Sequence, residues 1–376
     1  MINVTIDHII SAHILAQVPL LINGYPGIGK THRVRQIGEA MGRSVVEIHL
    51  HRHMPEDIGG YPRPDDKERA VDMYPLKRLL KLPEDAILFI DEFGDVDPRR
   101  QAVAQQLVYE RRLGDFTLPE SVAIVCAGNP QHVSTDGYGL SLPMSSRMGQ
   151  VDFPVPTPEN WLSWSQGHTS ESLLQIGRLN WKEFKLARPS LWMSIIGTFF
   201  TVKSSLLFAP PSNNEFFGKP WPSPRGWAMT ADVWQALSFL FDFDKPVFGD
   251  VGSLLAEIAA KSCVGDAAAA VFSTWIKRQE IPSMSDLLEK KVNWKPDRID
   301  VAYVAGVCML EYLNKRNNFQ LWKRSWDILA AWSSDFLPVC AFIARDLLKM
   351  RHSSWGVPDS VSSFLPAIKM AVEEKL

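Results

Sequence analysis

At 376 residues, with 46% apolar and 22% charged side chains, the chain is long enough for two or three domains with separate cores and has a globular composition. Its 40 Lys and Arg against 42 Asp and Glu leave a formal charge of −2, which excludes an overall basic field drawing it to DNA or an acidic membrane. The four cysteines, Cys126, Cys263, Cys308 and Cys340, have no CxxC spacing and read as buried thiols of a reducing compartment, not as a disulfide or zinc framework.

The N-terminal MINVTIDHII holds Asp7 within an apolar stretch and lacks a basic n-region. It is read as no signal peptide, and a cytoplasmic location is expected. Val18–Ile22 is a strand-like run followed by a glycine loop and then by a helical pattern with Val34, Ile37 and Met41 on one face. Val45–Leu50, Ala86–Ile90 and Val122–Ala127 are further strand candidates, with Val151–Phe153 a short fifth. Strands alternating with helices predict an α/β fold with a parallel sheet covered on both faces.

The prolines of PVPTPEN mark a linker after Phe153, and the pattern is helical from there on. The division expected is an α/β core over 1–156, a helical segment over 157–280 and a helical C-terminal domain over 281–376. Leu191 to Ala209, the longest apolar stretch, is broken by Lys203 and several hydroxyl residues, so it is read as a buried helix and not a membrane span. Trp161, Trp164, Trp181 and Trp192 are expected to serve core packing, and Pro210–Pro224 reads as a long loop.

Gly24-Tyr25-Pro26-Gly27-Ile28-Gly29-Lys30-Thr31 matches GxxxxGK[ST] in full, after a strand and before an amphipathic helix. Its glycines let successive N–H groups turn inward toward a phosphate, and the helix N-terminus adds its dipole. Lys30 is placed to reach the β- and γ-phosphates of ATP, and the Thr31 hydroxyl to ligate Mg²⁺; His32 follows in the same turn. Ala86–Ile90 then ends in Asp91 and Glu92, at the strand end where ligands of parallel sheets bind. Asp91 is expected to hold Mg²⁺ and Glu92 to orient and polarise an attacking water.

With GYPGIGKT, PEDIGGYPRP, ILFIDEFGDVDPRRQAVAQQLVYERR, AIVCAGNP, SSRMGQVDF and PSPRGW in this order, the chain resembles the AAA+ superfamily and, within it, the MoxR-like branch. The resemblance covers about residues 15–235; the C-terminal part matches only a general helical tail. It implies that Asn129 is sensor 1, that Arg147 is an arginine finger reaching a neighbouring subunit, and that Arg225 is sensor 2 on a helical lid. Arg99 and Arg100 are a second candidate for the finger. A finger in trans implies a ring, with a hexamer expected. The resemblance further implies an ATP-hydrolysing chaperone that remodels a partner protein, with a von Willebrand factor A domain protein among the expected partners. Two alternatives stay open: a nucleic-acid-stimulated motor and a nucleotide-gated assembly scaffold.

Other features carry less. His49, His51 and His53 alternate as a metal site could, but the strand is expected to end near Leu50, so they are read as polar lining. Glu56–Tyr61 reads as a flexible loop with Tyr61 either touching a client or packing the loop down. Lys182, Lys185 and Arg188, like Lys315, Arg316, Lys323 and Arg324, fit solvated helix faces, and nucleic-acid contact is not expected.

Overall fold

The computed structural model describes residues 3–364 except 53, 55–59, 66, 68–69, 75–76, 78, 95–97, 114–115, 131–132, 134–139, 187–190, 213–217, 242–248, 291 and 317. Of the sequence features above, His53, Glu56–Gly59, Arg188 and residues 213–217 of the Pro210–Pro224 loop lie outside the described residues.

The chain divides into two compact units, one of residues 1–186, 206–242 and 257–270, the other of 187–205, 243–256 and 271–376. The expected 157–280 segment is thus shared between them. The first unit begins with α1 (Ile6–Ala16), β1 (Leu20–Asn23), α2 (Lys30–Ala40) and β2 (Val45–His49). A hairpin of β3 (Tyr61–Asp65) and β4 (Ala70–Tyr74) precedes β5 (Ile87–Asp91), α3 (Pro98–Glu110) and a second small hairpin, β6 (Arg112–Leu113) with β7 (Phe116–Thr117). Then come β8 (Ala123–Gly128), the short α4 (Leu142–Ser145), β9 (Gly149–Asp152), α5 (Pro158–Ser165), α6 (Glu171–Gly177) and, later in the chain, α8 (Pro224–Leu240).

The five strands expected from the apolar runs form one parallel sheet in the order β2-β5-β8-β1-β9. Successive side chains of a strand point to opposite faces, and here both faces are buried. Leu88, Ile90, Ile124 and Cys126 join Phe93, Leu107 and Met144 on one side. Ile87, Phe89, Val125 and Ile22 join Ile10, Ile14, Val34 and Ile37 on the other. This is why the strands read as continuous apolar runs. Tyr61 opens β3, where it is 74% exposed and does not pack the segment down.

The second unit contains α7 (Leu191–Val202), α11 (Met284–Leu288), α12 (Ile299–Arg316) and α13 (Phe319–Lys349), while α9 (Gly249–Val264) and α10 (Asp266–Lys277) each contribute to both units. α7 buries Ile195, Ile196 and Phe199, as expected of a core helix. α13 carries a kink at Phe336, two residues before Pro338. By length and composition α13 could cross a membrane, but Trp322, Trp326 and Trp332 are fully buried in it, which is the pattern of a core helix.

Candidate functional site

The glycine turn hangs between β1 and α2. Gly29 (φ 95°) is the N-cap of α2 in the left-handed region and provides no side-chain cap, so the first helical N–H groups are left for a ligand. A Cβ on Gly24 would stand 2.8 Å from Ile28 Cδ1 and 3.1 Å from Phe153 Cβ. A side chain at that point would have to displace Ile28. Lys30 is buried; its ammonium donates to the carbonyls of Gly24 and of Tyr25 (3.1 Å) and to Asn129 Oδ1 (3.2 Å). Lys30 and Asn129 thus meet across 99 residues of chain.

β5 lies two places from β1 in the sheet and delivers its end beside this turn. Thr31 Oγ1 donates to Asp91 Oδ2 at 3.0 Å, and Glu92 N donates to Asp91 Oδ1 at 2.9 Å. Glu92 has φ 61°, a left-handed conformation that costs a non-glycine residue on the order of 1 kcal/mol. His51 Nδ1 contacts Glu92 Oε2, and His49 Nδ1 stands 3.9 Å from Asp91 Oδ2. The histidines therefore flank the carboxylate pair, and among the described residues no group of three or more His, Cys, Asp or Glu could hold a metal ion.

Arg147 and Arg225 are brought together elsewhere. Arg147 follows α4; Arg225 sits in the first turn of α8, where the Ser223 hydroxyl caps Gly226 N at 3.1 Å and Pro224 fills the next position. Both line a cleft of about 420 Å³ with Tyr109, Arg111 and Gln17, and no glycine-loop residue takes part in it. The Arg147 guanidinium lies over the Tyr109 ring, 4.6 Å from its centroid. The Tyr109 hydroxyl is buried without a hydrogen-bond partner, and burial pushes its pKa up. Arg111 is committed locally, donating to Pro119 O (2.6 Å) and Val122 O (2.5 Å). Arg99 is exposed, and Arg100 contacts Met54 Sδ at 3.6 Å.

Residues 19–148 match the family model described as AAA domain (dynein-related subfamily). This part of the chain is similar to AAA domains. The parallel sheet with flanking helices and a helical C-terminal part is the AAA+ α/β fold. No curated protein sequence matches the chain. A candidate ATPase from Cytophaga hutchinsonii is similar in structure with a TM-score of 0.44 and 14% identity, over 68% of this chain and 79% of that one. A full-length MCM homolog from Methanopyrus kandleri gives a TM-score of 0.39 and 14% identity, over 72% of this chain and 55% of the other. At that distance neither assigns a role to a residue.

Beside the glycine loop the first unit holds a cavity of about 1050 Å³, whose lining includes Gly27, Gly29, Asp7, His8, Gln175 and Phe153. That is the upper range for a small-molecule site. Sequence reading missed these lining residues outside the glycine loop. The one signal was Asp7 itself, an acid inside an apolar run. Trp161 and Trp164 correct the expectation of core packing: they are 57% and 49% exposed at the rim of the cavity, and Trp164 Nε1 donates to His32 Nε2 at 3.0 Å.

Proposed function

We propose that this chain binds ATP with Mg²⁺ at Gly24–Thr31 and hydrolyses it, acting as a ring that remodels a partner protein. The observation that carries the reading is the 3.0 Å bond from Thr31 to Asp91, set beside Lys30, Asn129 and Glu92. An uncharged hydroxyl and a carboxylate at that spacing are the oxygen ligands that Mg²⁺ takes in nucleotide sites. Mg²⁺ held there would neutralise charge on the phosphates. Lys30 supplies a buried cation, and Asn129 is within reach of it. Glu92, turned out of the strand, orients a water and accepts its proton.

Support for a ring comes from the arginine cleft. Arg147 and Arg225 make no ion pair among the described residues, although Glu110 also lines their cleft, which is not that of the glycine loop. Two guanidiniums beside a buried, unpaired hydroxyl suit an anion brought by another molecule, such as the terminal phosphate held by a second copy. The remodelling role, the hexamer and a partner with a von Willebrand factor A domain rest on the MoxR-like motifs.

The test is the pair Lys30→Ala and Glu92→Gln, followed by calorimetric ATP binding, phosphate release and recovery of bound partners. Lys30→Ala is expected to lose ATP binding. Glu92→Gln is expected to keep it, to lose hydrolysis by about 10²-fold or more, and to retain a protein partner in ATP. Hydrolysis that survives Glu92→Gln, or recovery of nuclease-sensitive nucleic acid in place of a protein, would overturn this reading.

A further inference from the structure

We infer that Lys30 exchanges Asn129 for a phosphate oxygen, so that uptake of nucleotide is what releases the Asn129 side chain. The inference rests on the proposed nucleotide site and concerns how two of its residues are coupled. An ammonium has three N–H donors and accepts nothing. Those of Lys30 go to Gly24 O, to Tyr25 O at 3.1 Å and to Asn129 Oδ1 at 3.2 Å. Three donors meet three acceptors, on a side chain that is buried. A phosphate oxygen therefore reaches this ammonium only by replacing one of them.

The three acceptors differ in how easily they yield. Gly24 O and Tyr25 O belong to the main chain of the turn, which is tied to the sheet. Gly24 N donates to Gly128 O at 3.2 Å, and Asn23 is paired with Gly128 in the register of β1 and β8. The Lys30 stem lies alongside, since a Cβ on Gly24 would stand 3.4 Å from Lys30 Cδ. Turning those carbonyls away requires the turn itself to move. Asn129 needs only a side-chain rotation between staggered wells, and it is half-buried, so it has room to make one. Its bond is also the longest of the three. A hydrogen bond between two charged groups is stronger than one to a neutral amide, so phosphate displaces Asn129.

The exchange has two consequences. Held by Lys30, the Asn129 side chain is fixed on the glycine-turn side; released, it is available to the reacting groups. The same bond opposes binding, because a nucleotide has to break it. That opposition extends to ADP, which lacks the terminal phosphate but still offers Lys30 its β-phosphate.

Calorimetric binding of ADP to the full chain tests this, with phosphate release from ATP measured on the same samples. Asn129→Ala removes the acceptor and is expected to bind ADP about fivefold tighter than wild type, and no less than about threefold. Its phosphate release is expected to fall about tenfold or more. Tighter binding with slower turnover is a combination that mere loss of structure does not produce, since that weakens both. An ADP affinity that gains less than about threefold, or that drops, overturns the inference. If ADP binding in that case is still lost with Lys30→Ala, the nucleotide site stands and only the coupling falls. ADP binding that survives Lys30→Ala removes both. Should Asn129→Ala fail to fold in a melting experiment, Asn129→Leu, which keeps the volume and lacks the acceptor, decides in its place.

Discussion

The Arg147 guanidinium carbon lies 4.6 Å from the centroid of the Tyr109 ring, and Arg225 lines the same cleft. An aromatic face under a guanidinium contributes about 0.5–1 kcal/mol and restricts the side chain without neutralising it. Arg147 is thereby held in place while its charge stays available.

Removing that charge should affect hydrolysis and not binding. Arg147→Ala is expected to bind ATP within about twofold of wild type and to hydrolyse it about 10³-fold more slowly. An equal mixture of Arg147→Ala and Lys30→Ala chains, neither active alone, should recover part of the activity, because one chain lends its arginine and the other its nucleotide site. A mixture as inactive as its components would show that Arg147 serves its own subunit.

Thr31 and Asp91 are joined by one hydroxyl-to-carboxylate bond at 3.0 Å. Thr31→Val keeps the shape and deletes the oxygen. Its affinity for ATP is expected to drop about tenfold with Mg²⁺ and to change little in EDTA, a loss near 1.4 kcal/mol. Calorimetry with and without the metal separates the two. An equal loss under both conditions would mean that Thr31 acts on the turn and not on the ion.

His13 predicts an acid-side loss of stability. It is fully buried, its Nδ1–H donates to Ile9 O at 3.0 Å, and its Nε2 has no partner. Burial lowers its pKa from 6.5 to about 4. Between those values the unfolded chain carries a proton on His13 that the folded one does not, so stability rises with pH across the window. The sign is therefore a loss on acidification from about pH 6.5 to about 4, up to about 3 kcal/mol from this group. Urea titrations at intervals through that range should show it, and His13→Gln should flatten the slope.

Gly149 adjoins the same ring. A Cβ there would stand 2.3 Å from His13 Nε2 and 2.8 Å from Cδ2. His13 is held at Nδ1 and enclosed, so it has little room to give. Gly149→Ala is expected to destabilise the domain by about 1–3 kcal/mol, read as a lower urea midpoint with an unchanged m-value. The double variant with His13→Ala should lose less than the sum of the two single variants, since the clash is then removed.

Much of the AAA+ core was legible in the sequence because its signals are local. A strand buried on both faces must be a continuous apolar run, so all five strands of the sheet could be placed to within one or two residues. Gly24 to Thr31 must be consecutive to wrap a phosphate, and Asp91 and Glu92 must follow their strand directly. The hairpin Tyr61–Tyr74 escaped, since a mostly exposed pair of short strands needs no apolar alternation. Trp161 and Trp164 escaped for the opposite reason, because composition ties tryptophan to cores and only packing shows which ones stay outside.

The sequence by itself determined the elements and the phosphate loop, since each is set by neighbours along the chain. The tertiary structure alone decided which distant residues meet. The sheet order brings Asn129 to Lys30 and Asp91 to Thr31. The packing of α6 against α1 sets Ser172 on one oxygen of Asp7 across 165 residues, and Arg33 stands 3.5 Å from the other. Nothing in the local pattern of an acidic residue tells whether water, a hydroxyl or a ligand will satisfy it. That depends on what the fold encloses.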